Sequence, residues 1–478
     1  MAGTSIFKAP AEFKILGLLW GILMVSQDFN TYYLYILLLM TSQNVITCGN
    51  FLDYYTYFIL ANTLICGLIV YPISGYITDI TTNYSKRIFL IANSLQFILA
   101  ATQAVPYLIG FDGGWIIMYI LWQLTQIVAV QNNNSLWKII KQTAEDPFVK
   151  QYIYDSSSDS AEHSGELSII NNVGNMGDLV SDILESTLLG ILVVLIMFDK
   201  NIENLPSFVL SYSFGVIIIL NFFLCVVSLY FYGFTLSKKQ ATDDSYEFDG
   251  LIPAEYYSLS ISPFKWLKES IKNFYNSKIA FHTFWHCMLL MLFALIVQYP
   301  LTLEEVSIID SSVDNSVATM CGGVLTNLIV IGAMNNACFL VGSILYRLFV
   351  VNTSPTTFYK YHYPLCILIL LGTTTSIWFI YEANTYLLYL LISVSTIIPY
   401  YLGYYDYYLF TERSKGASYG FVMGFYGIIT TIITASIQGS YEFKPSFGVI
   451  LGISGVLLIC SLIYTYFLKN LVGFTDRR

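Results

Sequence analysis

The sequence predicts an all-α membrane protein, a bundle of twelve transmembrane helices in two six-helix halves. Of its 478 residues, 56% are hydrophobic and only 11% are charged, whereas soluble domains carry about a quarter charged residues. The apolar stretches are long and continuous, as in 321–350 and 445–468, and differ from the short alternating segments of a membrane β-barrel. Lysine and arginine gather in alternate loops, as they do in multi-pass helical proteins.

Each predicted helix follows from an apolar stretch long enough to cross a bilayer, which takes about 20 residues. In chain order the stretches are 13–40, 55–80, 87–110, 113–134, 170–198, 206–235, 278–300, 319–349, 360–380, 383–410, 417–439 and 445–468. An even number of spans places both termini on the same side of the membrane.

Positive charges orient this bundle. Of 22 lysine and arginine residues, all except Lys200 and Lys444 fall on the side of the termini, which is therefore predicted to be cytoplasmic. The opposite loops are rich in acidic residues, so the outer face attracts cations. The plasma membrane is the expected location, with an internal membrane as the alternative. Cys48 and Cys321 lie near the outer face, and the sequence leaves open whether they are bridged.

A polar stretch divides the chain into a first six-helix bundle (1–236), a cytoplasmic linker (237–277) and a second bundle (278–478). The linker carries an acidic run followed by a basic amphipathic segment. Two halves joined in this way suggest a major-facilitator architecture, in which the halves rock around a midplane site. Gly75 and Asp79, followed by Lys86 and Arg87, resemble the loop signature of that superfamily.

The sequence contains no Walker loop, Gly-x-Ser-x-Gly or His-Glu-x-x-His pattern, so it predicts no enzyme. We expect the lipid bilayer as its surroundings, no nucleic-acid partner, no tightly bound cofactor and a monomeric state.

Three polar residues lie about halfway along predicted spans of the first half. Asp28 is a lone carboxylate in span one, Gln96 lies in span three and Asn221 in span six. Ionisable groups at bilayer depth are costly and persist mostly at substrate sites or relays. One carboxylate and two amide oxygens suit a divalent cation, although each amide alone is also explained by a hydrogen bond between helices.

Five segments in order along the chain resemble the ferroportin family of metal exporters. They are the loop and third span (75–96), the loop after span four (137–146), the opening of span five (177–190), the approach to span seven (263–276) and the last span (447–473). The resemblance implies a major-facilitator fold and export of a divalent metal.

The resemblance also implies roles for single residues. Asp28 matches the family's first-span aspartate, which is shared by a metal site and a calcium site, and Gln96 and Asn221 match two further calcium ligands. The family's fourth calcium ligand is replaced by Ser228 and its metal-binding histidine by Tyr32. The ligands of the family's second metal site, in its C-terminal half, have no counterparts in this sequence, so the resemblance implies an N-terminal cation site.

Span seven carries a second candidate metal site. His282 and His286 lie four residues apart, on one helical face, and Cys287 is adjacent. Such a set can chelate a borderline divalent metal. The alternative is that both histidines make hydrogen bonds between helices.

An inner gate is predicted from charges at the cytoplasmic ends. Asp79 lies near Lys86 and Arg87. Three acids, Asp178, Asp182 and Glu185, crowd the start of span five, whereas Arg413 and Lys415 belong to the second half. We predict that the acids of one half meet the bases of the other and close the gate. The alternative for Asp178 is a hydrogen bond at the start of a helix.

The residues favour an alternating-access transporter of a divalent transition metal, ferrous iron or similar, that exports it from the cytosol and has calcium as a regulator. One alternative is a major-facilitator transporter of a small organic solute, such as a nucleoside, a sugar or a folate-like molecule. The other is a transport-inactive receptor or structural membrane protein, in which Asp28 only holds helices together.

Overall fold

The computed structural model describes residues 11–41, 60–81, 84–109, 114–145, 165–198, 205–243, 261–311, 317–351, 353–380, 385–413, 419–440 and 447–475. These ranges hold thirteen helices and no strand, which confirms the predicted fold class. The helices are α1 (Ala11–Thr41), α2 (Leu60–Ile80), α3 (Ser85–Leu108), α4 (Gly114–Glu145), α5 (Gly165–Phe198), α6 (Leu205–Asp243), α7 (Pro263–Asn276), α8 (Lys278–Ser311), α9 (Val317–Phe349), α10 (355–380), α11 (Thr385–Arg413), α12 (Tyr419–Ser440) and α13 (Phe447–Thr475).

Helices α1 to α6 form the first half and α8 to α13 the second. In the first half α1 packs on α5 and α6, and α3 packs on α4; in the second half α8 packs on α11 and α13. Helix α6 continues beyond the expected boundary at 236, and the second half begins at Lys278.

The described helices have the length and the surface of a bundle in lipid. Five are long and apolar enough to span a membrane: Leu60–Ile80, Ser85–Leu108, Ile169–Ile196, Phe208–Phe234 and Gly448–Val472. Large aliphatic side chains such as Leu108, Leu348 and Ile463 point outward, exposed by 76%, 68% and 67%. Many polar side chains are buried, so the usual soluble arrangement is inverted, as expected where lipid replaces water.

Two seams join the halves: α2 packs against α12, and α5 packs against α9. At the first seam Gly75 and Gly420 face each other so closely that a Cβ added to either one would overlap the carbonyl oxygen of the other. Glycine at both positions therefore allows backbone-to-backbone contact between the halves.

Several of the described contacts between the halves lie at the end of the bundle where α2, α4, α9 and α11 end and where α5 and α12 begin, and the first seam continues from there to Thr431 and Thr63. We call this the basic end, because Lys138 and Lys141 are buried there and it carries the loops predicted to be cytoplasmic. Lys141 Nζ donates to the carbonyl oxygen of Thr411 at 2.6 Å, which ties α4 to the second half. The halves are therefore closed against each other at this end.

Helix α7 is the linker helix between the halves. Ser262 caps it, since its hydroxyl accepts from the amide of Lys265 at 3.4 Å, and Pro263 occupies the first turn, where a missing N–H costs nothing. A single non-helical residue, Ser277, separates α7 from α8.

Candidate functional site

Asp28 lies on α1 where the two halves meet, and it is partly buried. The carboxylates of Asp182 and Glu185 on α5 lie within electrostatic range of Asp28 and repel it. In the part of the chain that the structure describes, no lysine or arginine pairs with any of these three acids. We call Asp28, Asp182 and Glu185 the carboxylate cluster.

The acids of the carboxylate cluster belong to a regular polar stripe on α5. Its members are four, three, four and three residues apart, which places them on one face of the helix: Asn171, Asn175, Asp178, Asp182 and Glu185. This stripe faces the second half.

The first two members of the stripe tie α5 to α9. Tyr346 of α9 donates to Asn171 at 2.6 Å, and the amide of Asn175 donates to the carbonyl oxygen of Ser343 at 3.2 Å. The stripe therefore lines the second seam from the basic end inward.

Asp178 bridges the halves through neutral groups. The indole N–H of Trp20 donates to one of its oxygens at 3.1 Å, and the hydroxyl of Tyr408 on α11 donates to the other at 3.1 Å. The expected base, Arg413, lies 3.1 Å from Glu412, its neighbour in sequence. Lys415 lies outside the described residues. The structure thus places Asp178 in a contact between the halves, and tyrosine supplies the link.

Oxygen and nitrogen atoms of the second half surround the carboxylate cluster. The Ser343 hydroxyl donates to Asp182 and also lies 2.6 Å from the hydroxyl of Tyr401. The Asn336 amide lies beside Glu185. Both halves therefore contribute polar atoms around the same acids.

Gln96 and Asn221 are buried in the first half, away from direct bonds to Asp28. Gln96 donates to Ser26 at 3.4 Å and accepts from Asn132, whereas Asn221 donates to the Ile217 carbonyl of its own helix at 2.8 Å. No hydrogen bond joins either amide to Asp28 among the described residues. The side-chain oxygen of Asn221 has no partner there, so it is free to accept one.

No metal site is fully assembled in the described part of the chain. Within those ranges, no three histidine, cysteine, aspartate or glutamate side chains lie close enough to enclose one ion. A cation held by the carboxylate cluster would therefore require the acids to approach one another.

Asp79 forms the best-defined contact at the basic end. Its carboxylate accepts from the backbone amides of Gly420 and Phe421 at 2.8 and 3.2 Å, and from the indole of Trp266 on α7 at 2.9 Å. Lys138 Nζ lies 3.6 Å away, and both charged groups are fully buried. The carboxylate thus sits at the N-terminus of α12, where the helix dipole favours an anion.

The basic pair after α2 contacts α6 of its own half. The Lys86 ammonium lies over the ring of Phe231, and Arg87 Nε donates to the hydroxyl of Tyr232 at 3.2 Å. Asp79 finds its buried cation on α4 instead.

His286 makes a buried contact with a carboxylate that the sequence did not predict. Its Nδ1 is 2.7 Å from Asp406 on α11, both groups are fully buried, and Tyr359 donates to the other oxygen of Asp406 at 2.5 Å. His282 lies apart from this pair, 2.6 Å from the hydroxyl of Tyr464. The two histidines therefore bond to different partners in the second half.

Two signals in the sequence pointed to residues that reasoning from position alone missed. Asp406 is an ionisable residue within an apolar stretch, as Asp28 is, and the same argument applies to it. Asn171 and Asn175 continue the row of acids on α5 at a spacing of four and three residues, which the sequence also shows. The burial of Lys138 and Lys141 had no such signal, since lysines at a helix end usually reach solvent.

No protein-family model and no curated protein sequence matches this chain. Solved structures do match it in fold. A bacterial homologue of the iron transporter ferroportin, in an outward-facing state, has 13% identity and a TM-score of 0.55, over 96% of this chain and 99% of that chain.

Two sugar transporters are similar to the same degree. The proton:xylose symporter XylE has 13% identity and a TM-score of 0.57, over 95% of this chain and 94% of that chain. The E. coli fucose:proton symporter FucP has 13% identity and a TM-score of 0.56, over 96% and 98%. These similarities show that the chain has the major-facilitator fold.

Proposed function

We propose that this protein is an integral membrane transporter that exports a divalent transition metal, ferrous iron or similar, from the cytosol by alternating access. The observation that carries the proposal is the carboxylate cluster of Asp28, Asp182 and Glu185, which lies between the halves. Among the described residues, no lysine or arginine pairs with these acids. Mutually repelling carboxylates inside a membrane protein are stabilised by a bound cation or by protons. Carboxylate, amide and hydroxyl oxygens are ligands that divalent cations accept.

The position of the cluster supports alternating access. The acids come from α1 and α5, while Asn336 and Ser343 come from α9, so rocking of the halves would change how many ligands a cation meets. Approach of the three acids would form the complete site, and separation of the halves at the end opposite the basic end would release the ion outside. In this proposal the protein moves its substrate unchanged and catalyses no reaction.

Proton exchange follows from the same chemistry. A carboxylate must lose its proton to bind a metal, so metal binding and protonation compete at Asp28, Asp182 and Glu185. Metal leaving the cluster is replaced by protons, which links outward metal movement to proton movement.

The test is metal flux in liposomes that contain the purified protein and a manganese- or iron-sensitive dye. We expect Asp28→Asn, Asp182→Asn and Glu185→Gln each to reduce flux at least tenfold, because each removes a charged ligand worth on the order of 1.4 kcal/mol or more. Lys360→Gln is the control, since it removes an exposed charge of α10 away from the carboxylate cluster. Wild-type flux in all three cluster variants would contradict the proposal.

A neutral-ligand variant refines the same test. Gln96→Ala should weaken metal affinity less than Asp28→Asn, since it removes one amide that already bonds to Asn132. Equal losses in both would indicate a structural network in place of a metal site.

The second candidate substrate is a small organic solute, such as a sugar, a nucleoside or a folate-like molecule. Three tyrosines of α11 favour it, because Tyr401, Tyr404 and Tyr408 lie beside the acids of α5 and could stack against a ring. The similarity to XylE and FucP agrees with it. Labelled-solute uptake that metal does not inhibit would favour this candidate, and the absence of both fluxes would favour a transport-inactive receptor.

Calcium regulation stays a prediction for Asp28, Gln96 and Asn221. The free oxygen of Asn221 supports it, although Gln96 would have to release Asn132 to turn its oxygen toward a cation. Calcium should then change metal flux in the wild type and leave flux unchanged in Asn221→Ala.

We also propose that the protein is a monomer in the plasma membrane, with both termini in the cytosol.

A further inference from the structure

Helix α7 presents its inward face to the gate. Trp266, Ser270 and Phe274 are four residues apart and buried, so they form one stripe that packs on α8 and α12. This packing leaves the opposite side of the helix uncovered by the rest of the described chain.

The uncovered side carries an apolar stripe. Phe264, Leu267, Ile271 and Tyr275 are spaced three, four and four residues apart and are 85%, 40%, 49% and 70% exposed. Four large apolar side chains on one face of a short helix are costly in water, so this face needs a partner.

A row of lysines runs along one edge of the apolar stripe. Lys265, Lys268 and Lys272 are all exposed, and Glu269 is the helix's single acid, 4.0 Å from Lys265. A helix with an apolar face flanked by lysines matches the surface of an anionic bilayer, where the apolar side chains enter the acyl boundary and the ammonium groups meet phosphates. One residue, Ser277, joins α7 to α8, so α7 ends beside the membrane surface that α8 enters.

We propose that α7 binds the anionic lipid surface of the cytoplasmic leaflet and thereby holds the gate closed. The link is Trp266, whose indole donates to Asp79 at 2.9 Å, while Asp79 accepts from the first amides of α12. A second contact supports it, since the Tyr76 hydroxyl donates to the carbonyl of Ile261 at 2.8 Å, at the start of α7. Lipid that holds α7 in place keeps the Trp266 donor on Asp79. The inference does not depend on which solute the protein carries.

The test is hydrogen–deuterium exchange of the full-length protein in nanodiscs, with phosphatidylcholine alone or with added phosphatidylglycerol. Two peptides are followed: α7 itself and the start of α12, which contains the amides of Gly420 and Phe421. We expect anionic lipid to slow exchange in both peptides. In the double variant Lys268→Gln with Lys272→Gln, the slowing of exchange by anionic lipid should be about 25-fold smaller. Each lysine near an anionic surface contributes about fivefold to binding.

A matched double variant separates α7 from general charge effects. Lys360 and Lys469 belong to α10 and α13, and each lies over a tyrosine ring of its own helix. Lys360→Gln with Lys469→Gln removes two positive charges and should keep the response to phosphatidylglycerol. Phe264→Ser, which shortens the apolar stripe at its most exposed residue, should weaken protection of α7 in both lipid mixtures.

Equal exchange in neutral and anionic nanodiscs would overturn the proposal and leave an acidic protein segment as the occupant of this face. Loss of the lipid response in both double variants would also overturn it, because the effect would then come from net charge. Protection of α7 without protection of α12 would overturn the coupling to the gate.

Discussion

Replacing Asp79 by asparagine should open the basic end of the molecule. The carboxylate accepts three hydrogen bonds, two from the first amides of α12 and one from Trp266, and it is paired with the buried ammonium of Lys138. Asparagine is close in size, so the change removes the charge and one acceptor while it keeps the shape.

The size of the effect follows from these contacts. The pair with Lys138 lies within the first half, so its loss weakens the open and closed states alike. The two bonds from the backbone amides of α12 cross between the halves, and each hydrogen bond to a charged group is worth about 1.5 kcal/mol or more. Their loss, about 3 kcal/mol in all, falls on the closed state. At 1.4 kcal/mol for each factor of ten, 3 kcal/mol shifts the ratio of open to closed by about 150-fold.

Thiol labelling from the cytoplasmic side measures that ratio. Thr78 is 2% exposed in the closed arrangement, so a cysteine placed there, in a background without the native cysteines, reacts only when the end opens. The labelling rate follows the open population until opening becomes the major state. We therefore expect Asp79→Asn to accelerate labelling up to about 150-fold, and Lys360→Gln, which removes an exposed charge of α10, to leave the rate unchanged.

A labelling rate within about threefold of the parent would refute this reasoning, provided that the variant inserts and keeps its helix content. It would mean that Gly75 against Gly420 and the polar stripe of α5 hold the halves together without Asp79.

Three further predictions use the same protein. Trp266→Phe removes the indole donor from the carboxylate of Asp79. One hydrogen bond is worth roughly 1 kcal/mol, so the labelling rate at the basic end should rise about fivefold, and an unchanged rate would contradict this prediction. Gly75→Ala places a methyl group against the backbone of α12 and should increase labelling, whereas Gly190→Ala, which meets no atom within 4 Å, should not; equal effects would contradict the contact. Asp406→Asn weakens the buried hydrogen bonds with His286 and Tyr359 and should lower the free energy of unfolding by about 2 kcal/mol. This loss is measured as a lower midpoint of thermal unfolding in detergent, and an unchanged midpoint would show that these bonds contribute nothing net.

The depth of a residue in the membrane could be inferred from the sequence. The neighbouring helix that its side chain contacts could not. The apolar stretches predicted the two-half helical bundle, because span length is set by bilayer thickness alone. Asp28 was identified in the same way, from its place inside an apolar stretch. Gln96 and Asn221 share its depth, yet their bonds go to Asn132 and to Ile217. The helix that a given side chain contacts depends on how all the spans pack together, and this packing cannot be inferred from one span alone.

The gate shows the same division. The position of Asp79 at the end of α2 marked it as a gate residue, but its partners are backbone amides and an indole, groups that an argument from charge does not consider. Asp178 likewise bonds to Trp20 and Tyr408, where opposite charges were expected. Among 39 tyrosines, sequence alone gave no means to select the few that bridge the halves.

The contact of Gly75 with Gly420 also determines what can leak. Two helix backbones in van der Waals contact leave no gap for even a single water molecule. Protons travel through proteins along files of hydrogen-bonded water, and no such file fits between these glycines. A closed basic end therefore blocks the passage of protons along this seam, so a proton gradient across the membrane is not dissipated there. Any side chain at either glycine would wedge the backbones apart and admit water.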